Sequence, residues 1–172
     1  FDGVFAPLGR SAVALFPPEL EAEQAMLARE IYEHVNNGVY RAGFATKQPA
    51  YERACRGVFA RLDRCDEILA TQRFLLGPRA VEVDWRLFCT LVRFDAVYHG
   101  HFKCNLRRIV DYPHLSGYLR DLYQQPGVAE TVNLDHIKRH YYMTHDEVNP
   151  TRIVPLGPLL DFTAPHGRER LG

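Results

Sequence analysis

The sequence has no hydrophobic run long enough to cross a membrane, because charged or turn residues interrupt each apolar stretch before the roughly 20 residues that a bilayer requires. It also has no secretory signal pattern, since residues 1–4 read FDGV with no basic segment followed by an apolar core. We interpret this start as a chain cut at a domain boundary. Neither charge is in excess: 21 Lys and Arg balance 21 Asp and Glu, which argues against a nucleic-acid-binding protein without excluding a local basic patch.

The common signatures of catalysis and metal binding are missing as well. The sequence contains no glycine-rich phosphate loop, no G-x-S-x-G elbow and no H-E-x-x-H pair. The four cysteines stand singly, without a C-x-x-C pair or zinc-like spacing, and we expect them to act mainly as small hydrophobic residues in a reduced, cytoplasmic protein. Cys104 is the one candidate for an activated thiol, because Lys103 and Arg107 could lower its pKa. Partial burial in a helix is the favoured interpretation even there.

What the sequence does have is helical periodicity and enough apolar residues for a core. Hydrophobic residues make up 47% of the 172 residues, which suits one domain with a packed interior. No alternating strand pattern and no internal repeat is present, so we predict an all-α fold. The third predicted helix is apolar on most sides, which is typical of a central, buried helix. The predicted helices cover residues 19–39, 46–69, 84–97, 101–110, 113–126 and 134–144.

We divide the chain into an N-terminal or interdomain segment (residues 1–17), a helical domain (18–148) and an extended C-terminal tail (149–172). The tail is rich in Pro and Gly and has no helical period. Its apolar side chains need burial, so we expect the tail to pack on the domain. These side chains are Ile153, Val154, Leu156, Leu159, Leu160 and Phe162.

One candidate metal site involves His136 and His140, which are four residues apart on one face of a predicted helix. A third ligand and a group orienting each ring would also be needed, and Asp135 is close in sequence. The interleaved Lys138 and Arg139 would repel a cation. We therefore favour histidines on the surface or in a polar network, and we predict no metal.

The tyrosines are more informative about function. Tyr40, Tyr98, Tyr141 and Tyr142 lie at or near predicted helix ends, beside Gly, His and Arg rather than within apolar stripes. A phenol offers a flat apolar face and a hydroxyl that donates or accepts a hydrogen bond. Several phenols meeting in one pocket would suit an aromatic substrate with oxygens on its ring. From spacing alone, ordinary tyrosines at helix ends are the more common explanation.

Long segments of the chain resemble glutathionyl-hydroquinone reductases, the Xi class of glutathione transferases. The resemblance extends from about residue 17 onward. It is carried by residues 36–45 (NNGVYRAGFA), 86–95 (RLFCTLVRFD), 97–108 (VYHGHFKCNLRR), 111–124, 126–133 (PGVAETVN), 135–142 (DHIKRHYY), 149–151, 153–158 and 165–168.

The resemblance implies a helical bundle like the C-terminal domain of glutathione transferases, followed by the extended tail. It also implies a partner domain with a thioredoxin-like fold, which binds the co-substrate glutathione and carries the nucleophilic cysteine in a Cys-Pro-Trp segment. The helical half would then bind the aromatic part of a glutathionyl-hydroquinone and form homodimers. The balanced charge, independently of the resemblance, predicts no nucleic-acid or membrane partner.

The family's substrate-binding tyrosines correspond to Tyr40, Tyr98 and Tyr141 in this sequence. The choice of Tyr141 over Tyr142 is open. We add Arg139, beside Tyr141, as a candidate source of positive charge at the ring oxygens.

The chain departs from the family pattern in several places. No cysteine lies in a Cys-Pro-x segment, so none inherits the catalytic role, and we expect the fragment alone to be inactive. Val81 stands where the family has a Ser or Thr helix cap three residues before Asp84, and a missing cap typically costs about 1 kcal/mol. Ala96 and Ser116 stand where Pro and Trp are expected.

The alternative function is a non-catalytic helical module for interaction or dimerisation. The two hypotheses differ in what they require of the tyrosines. A substrate site needs the three hydroxyls in one groove, whereas a scaffold allows them on separate surfaces.

Overall fold

The computed structural model describes residues 14–171, so most of the predicted N-terminal segment (residues 1–17) lies outside the described residues. Six α-helices are found there, with no β-strand among these residues, which confirms the all-α prediction. Within residues 14–171, no helix combines the length and apolar character needed to cross a bilayer. The helices are α1 (Glu21–Ile31), α2 (Gly38–Gly43), α3 (Gln48–Leu69), α4 (Glu82–Arg93), α5 (Leu115–Tyr123) and α6 (Leu134–Thr144).

Short helical turns connect these helices. Two five-residue π segments, Tyr32–Asn36 and Phe94–Tyr98, join α1 to α2 and extend α4. Four 3-10 turns complete the set within the described residues: Pro18–Leu20, Ile109–Asp111, Ala129–Thr131 and Glu169–Leu171.

Helix α3 buries the stripe that its sequence predicts. Val58, Leu62, Cys65 and Leu69, at steps of four and three, are all fully buried. A completely buried Val or Leu side chain contributes roughly 1.5–3 kcal/mol to folding, so this face alone is a large part of the core.

Helix α4 is the central helix, as predicted. Its buried residues point in several directions around the helix axis, with Leu87 and Leu91 facing the interior together with Val83, Phe88 and Val92. A helix buried on several sides needs neighbours on several sides, and α1 and α5 both contact it.

The two π segments change the direction in which the following side chains point. In each, one backbone bond spans five residues: Asn37 N–H donates to the Tyr32 carbonyl at 2.9 Å, and His99 N–H donates to the Phe94 carbonyl at 2.9 Å. Such a bulge shifts the helical register and is common near functional sites. Sequence periodicity predicted continuous helices here, because one extra residue barely disturbs an apolar repeat.

The predicted helix over residues 101–110 is wrong. The chain turns sharply at Lys103, whose φ is 60°, and only a 3-10 turn forms near the end of this stretch. Tertiary contacts replace the helical bonds: the Lys103 carbonyl accepts from the Tyr51 hydroxyl at 2.6 Å, and the Asp95 carboxylate accepts from the Ile109 amide at 2.6 Å. Backbone groups satisfied in this way do not need a helix.

The start of α4 compensates for its missing cap side chain. The Asp84 carboxylate accepts from the amides of Val81 and Leu75, both at 2.9 Å, and from the Tyr118 hydroxyl at 2.8 Å. The Asp84 amide, which a cap hydroxyl would have satisfied, donates instead to the Val81 carbonyl at 3.0 Å. The cost expected from Val81 is therefore reduced.

The tail is anchored near its end by a buried arginine. Arg168 is only 3% exposed, and its guanidinium donates to the carbonyls of Leu69 at 2.9 Å and Arg73 at 3.0 Å, and also to that of Gln72. These carbonyls lie at and just beyond the C-terminal end of α3, where a positive charge is favourable.

The predicted burial of the tail is only partly correct. Ile153, Leu156 and Leu159 are 69%, 97% and 98% exposed, whereas Val154, Leu160 and Phe162 are partly buried. The apolar pattern showed which residues prefer burial but not which side of an extended chain meets the domain.

Candidate substrate cleft

An open cleft of about 760 Å³ lies between helix α4 and the wall formed by the first π segment and α2, and α6 contributes to it as well. Its walls combine phenol rings with polar groups of α4. The residues that matter most for its chemistry are Tyr40, Tyr98, Tyr141, Asn36, Arg86 and Arg93.

The structure brings the three predicted tyrosines together in this cleft. The Tyr141 hydroxyl is hydrogen-bonded to the Tyr98 hydroxyl at 2.7 Å and to the Tyr40 hydroxyl. The ring centroids are 5.4 Å apart for Tyr98 and Tyr141 and 5.9 Å apart for Tyr40 and Tyr98. Residues that are 43 and 101 positions apart in the chain thus form one continuous hydroxyl cluster.

Counting hydrogens shows that the cluster can donate to a ligand. Each phenol has one O–H, and the two bonds within the trio use two of the three hydrogens. One hydrogen therefore remains for an outside acceptor. Tyr98 and Tyr141 are almost fully buried, whereas Tyr40 is 38% exposed, so Tyr40 is best placed to present that hydrogen to the cleft.

Burial keeps the inner phenols protonated. It raises the pKa of Tyr98 and Tyr141 well above that of a free tyrosine. Hydrogen bonding to neighbouring hydroxyls raises the pKa of Tyr98 further, whereas for Tyr141 the bond to Tyr40 raises the pKa and the bond to Tyr98 lowers it. At neutral pH Tyr98 and Tyr141 are therefore hydrogen-bond donors and not sources of phenolate.

The adjacent residue, Tyr142, points elsewhere. Its ring packs against His101 with centroids 4.6 Å apart, and its hydroxyl lies near Gly100. The geometry thus favours Tyr141 over Tyr142 for the cleft, because consecutive residues of a helix face different directions.

Comparison with known proteins connects this geometry to a family. The family described as "Glutathione S-transferase, C-terminal domain" matches residues 48–121. Glutathionyl-hydroquinone reductase YqjG of Escherichia coli (strain K12) is 51% identical over 169 residues, covering 98% of this chain and 52% of the relative. Glutathionyl-hydroquinone reductase PcpF of Sphingobium chlorophenolicum is 54% identical over 158 residues, covering 92% of this chain and 49% of the relative.

Solved structures agree with the sequence relatives. The glutathione-bound structure of YqjG matches 97% of this chain and 54% of its own, with 51% identity and a TM-score of 0.94. An Xi-class glutathione transferase from Natrialba magadii matches 99% of this chain and 52% of its own, with 50% identity and a TM-score of 0.96.

The chain belongs to the glutathionyl-hydroquinone reductases, the Xi class of glutathione transferases. It corresponds to the C-terminal helical domain of that family. The chain spans about half the length of the curated relatives it matches.

The charges of this Xi-class cleft differ from the sequence prediction. The structure does not bring Arg139 to the cleft: its guanidinium pairs with Asp135 at 2.8 Å, and both side chains are mostly exposed. The cations that do line the cleft are Arg86, which pairs with Glu82 at 2.6 Å, and Arg93. Proximity to Tyr141 in sequence was misleading, because neighbouring residues on a helix point outward in different directions.

The polar face of α4 that lines the cleft was not predicted from the sequence. Glu82, Arg86, Cys89 and Arg93 follow each other at steps of four, three and four, which is the spacing of one helix face. This stripe was a detectable signal within an otherwise apolar helix. The stripe did not indicate a cleft by itself, because a polar stripe on a helix usually faces solvent.

Asn36 is a second missed residue, and it connects the two walls. Its side-chain amide donates to the Thr90 hydroxyl at 2.6 Å and to the Arg86 carbonyl at 3.1 Å. These two bonds join the first π segment to α4, the opposite wall of the cleft. The sequence offered one sign of this role: Asn36 lies inside a predicted helix, where its amide side chain has no cap to form.

The cysteines and histidines contribute no second site among the described residues. Cys104 is fully buried, and burial raises the pKa of its thiol to about 12, so Lys103 and Arg107 do not activate it. Within residues 14–171 no three or more His, Cys, Asp or Glu side chains are placed to hold a metal ion. His140 lines the cleft, whereas His136 is exposed.

Proposed function

We propose that this chain is the helical, quinone-binding part of a glutathione-dependent reductase that removes glutathione from glutathionyl-hydroquinones. The observation that carries the proposal is the hydroxyl cluster of Tyr40, Tyr98 and Tyr141 in one open cleft. Its rings offer flat apolar surface for an aromatic ring, and its spare hydrogen suits an oxygen on that ring.

In the proposed reaction a cysteine thiolate attacks the sulfur of the glutathionyl-hydroquinone. A sulfur–sulfur bond forms while the carbon–sulfur bond breaks, and the ring carbon takes up a proton in place of the sulfur. The ring carbon is protonated before the sulfur leaves, with the adjacent hydroxyl converted to a carbonyl, so the electron pair of the breaking carbon–sulfur bond ends on that ring oxygen as a phenolate. A second glutathione then releases glutathione disulfide and restores the thiolate.

The tyrosine cluster would act on the ring oxygen during this step. A preorganised hydroxyl that donates to an oxygen as charge develops stabilises the transition state more than the ground state. Because the pKa values of Tyr98 and Tyr141 are raised by burial, these phenols hold their protons while donating.

The nucleophile and most of the glutathione site belong, in this proposal, to a thioredoxin-like domain outside this chain. Cys55, Cys65 and Cys104 are buried, and exposed Cys89 lies on the helical wall of the cleft. We further propose that the whole protein is a homodimer, as the family resemblance implies, and that it is cytoplasmic, which suits its single, unpaired cysteines.

Turnover by the full-length parent protein tests the proposal. We expect it to release hydroquinone from a glutathionyl-hydroquinone in the presence of glutathione, and we expect residues 1–172 alone to release none. Product formation is followed by chromatography with both glutathione disulfide and hydroquinone quantified. A full-length protein that binds glutathione but leaves every such conjugate intact would favour the alternative, a non-catalytic helical module.

A further inference from the structure

Arg93 is a half-buried cation without a carboxylate partner among the described residues. It lies in the last turn of α4 and lines the cleft. Its one hydrogen bond there runs from Nη1 to the Cys89 carbonyl at 2.5 Å. A guanidinium has five N–H donors, so most of its donor capacity remains unused.

Three other half-buried arginines of this domain have a carboxylate partner, and a fourth, Arg120, makes two hydrogen bonds, to the Ser116 hydroxyl at 2.8 Å and the Pro165 carbonyl at 3.2 Å. Arg61 pairs with Glu30 at 2.6 Å, Arg73 with Asp121 at 2.8 Å, and Arg86 with Glu82 at 2.6 Å. Withdrawing a charge from water is costly unless an opposite charge or several hydrogen bonds replace the water. Arg93 departs from this pattern at the wall where a ligand would bind.

The cleft contains no other uncompensated fixed charge among the residues described. Glu82 and Arg86 neutralise each other, and the remaining lining groups are phenols, amides, a hydroxyl, a thiol, an indole and the His140 imidazole. Arg93 is also close enough to act on the cluster. Burial is the main cause of the raised pKa of Tyr141, and the positive charge of Arg93 opposes that rise.

We propose that Arg93 binds the ionised ring oxygen of the aromatic ligand in this cleft and so stabilises the phenolate that forms as the carbon–sulfur bond breaks. The catalytic part of this inference rests on the proposed function. The spare hydrogen of the tyrosine cluster and the guanidinium of Arg93 then act on the same developing charge, one as a neutral donor and one as a cation.

A structural role makes a different prediction. An arginine in the last turn of a helix stabilises the helix dipole, and Arg93 also holds the Cys89 carbonyl. If that were its whole role, replacing it would change the melting temperature and affect all ligands equally. If Arg93 instead acts on the ring oxygen, replacing Arg93 should lower turnover by a factor that depends on how well each substrate's ring oxygen stabilises negative charge.

The test uses the full-length protein with Arg93→Gln, Arg93→Lys and, as a matched control, Arg79→Gln, which removes an exposed arginine away from the cleft. Substrates are glutathionyl-hydroquinones with methyl or chloro substituents, because chlorine stabilises the departing phenolate and methyl does not. We expect Arg93→Gln to lower kcat roughly 10- to 100-fold with the methylated substrates and clearly less with the chlorinated ones. Arg93→Lys should recover part of the loss, and Arg79→Gln should match the parent.

A second measurement needs no turnover. 4-Nitrophenol and its phenolate absorb at different wavelengths, so the ionised fraction of the bound probe can be read directly by titration. We expect the parent protein to hold the phenolate form about tenfold more strongly than Arg93→Gln does.

The outcomes separate the two proposals. An active parent whose Arg93→Gln variant loses the same factor with every substrate, or loses nothing, overturns the role of Arg93 and leaves the proposed function standing. An inactive parent that still binds 4-nitrophenolate through Arg93 overturns the reductase function alone. Equal phenolate binding by the parent and Arg93→Gln overturns Arg93 as the anion-binding group whatever the turnover.

Discussion

The polar groups of the cleft differ from those around Arg168, the buried arginine that anchors the tail, in how fully they are hydrogen-bonded. At the anchor, Arg168 is surrounded by backbone carbonyls, and nearby Asp84 accepts three hydrogen bonds from buried donors. At the cleft, the tyrosine cluster has a spare hydrogen, and Arg93 has no carboxylate partner in the described region. Satisfied polar groups specify and stabilise the fold, whereas groups left unsatisfied at a cleft are available to a ligand.

Removing Asp84 should have the largest effect and would test the stabilising half of this comparison. Asp84→Ala leaves the amides of Leu75 and Val81 and the Tyr118 hydroxyl without their acceptor in the core. We expect a loss of about 3–5 kcal/mol in the free energy of unfolding. Urea denaturation of the full-length protein measures it, with Asp135→Ala on the exposed face of α6 as control. A difference below about 1 kcal/mol between the two variants would contradict the interpretation.

Arg168→Met should follow, at about 2–4 kcal/mol, because several carbonyls at the end of α3 lose their donor. Methionine keeps much of the side-chain volume, so the loss reports the hydrogen bonds more than a cavity. Arg170→Met removes an exposed arginine two residues away and should change stability very little. Equal melting temperatures for the two variants would mean that the tail is not anchored by this guanidinium.

Tyr141→Phe addresses the functional half of the comparison, because it removes the central hydroxyl that joins the other two. We expect kcat of the full-length protein to fall roughly 100-fold, equivalent to about 2.7 kcal/mol, with stability nearly unchanged. Tyr142→Phe is the matched control one residue along the same helix, and its ring faces His101. If Tyr142→Phe lowered kcat as much, the cluster would not be the group that acts on the substrate.

The smallest effect concerns His101, which lies behind the cleft with its Nε2 3.1 Å from His145 Nδ1. Burial, followed by the charge of His145, lowers the pKa of His101 to about 4. Below pH 6.5 the imidazole is protonated in the unfolded chain but stays neutral in the folded protein until the pH approaches 4. The neutral His101 therefore contributes fully to stability above pH 6.5, and this contribution declines as the pH falls toward 4.

His101→Gln should remove that part of the acid sensitivity, amounting to about 2 kcal/mol at pH 5. The measurement is the free energy of unfolding at pH 7 and pH 5 for the parent, His101→Gln and His136→Gln, which alters an exposed histidine. A pH dependence that is identical in all three proteins would rule out His101 as the sensor.

Much of the fold could be predicted because helical periodicity is a local property. The stripe of α3 and the nearly all-apolar α4 follow from side-chain spacing alone. The helix predicted from local pattern over residues 101–110 was wrong because distant groups satisfy the backbone there, as at Lys103 and Asp95. In the tail, no periodicity indicates which side chains are buried against the domain.

The candidate site could be predicted only in part. Tyr40, Tyr98 and Tyr141 were found through their sequence context, and the structure places them in contact; their binding of substrate stays a prediction. Arg139 was chosen for its position beside Tyr141, but the direction of each side chain depends on the helix turn, and Arg93 lines the cleft instead.

The sequence by itself determined the fold class, the family and the residue types available for chemistry, since these depend on composition, spacing and long matching segments. Only the tertiary structure decided which hydroxyls share hydrogens, which arginines are compensated and which face of the tail is buried. Those properties depend on distances between residues far apart in the chain, here up to 101 positions between two bonded phenols. The two π segments matter for the same reason, because an extra residue in one helical turn re-aims side chains without leaving a clear mark on the apolar pattern.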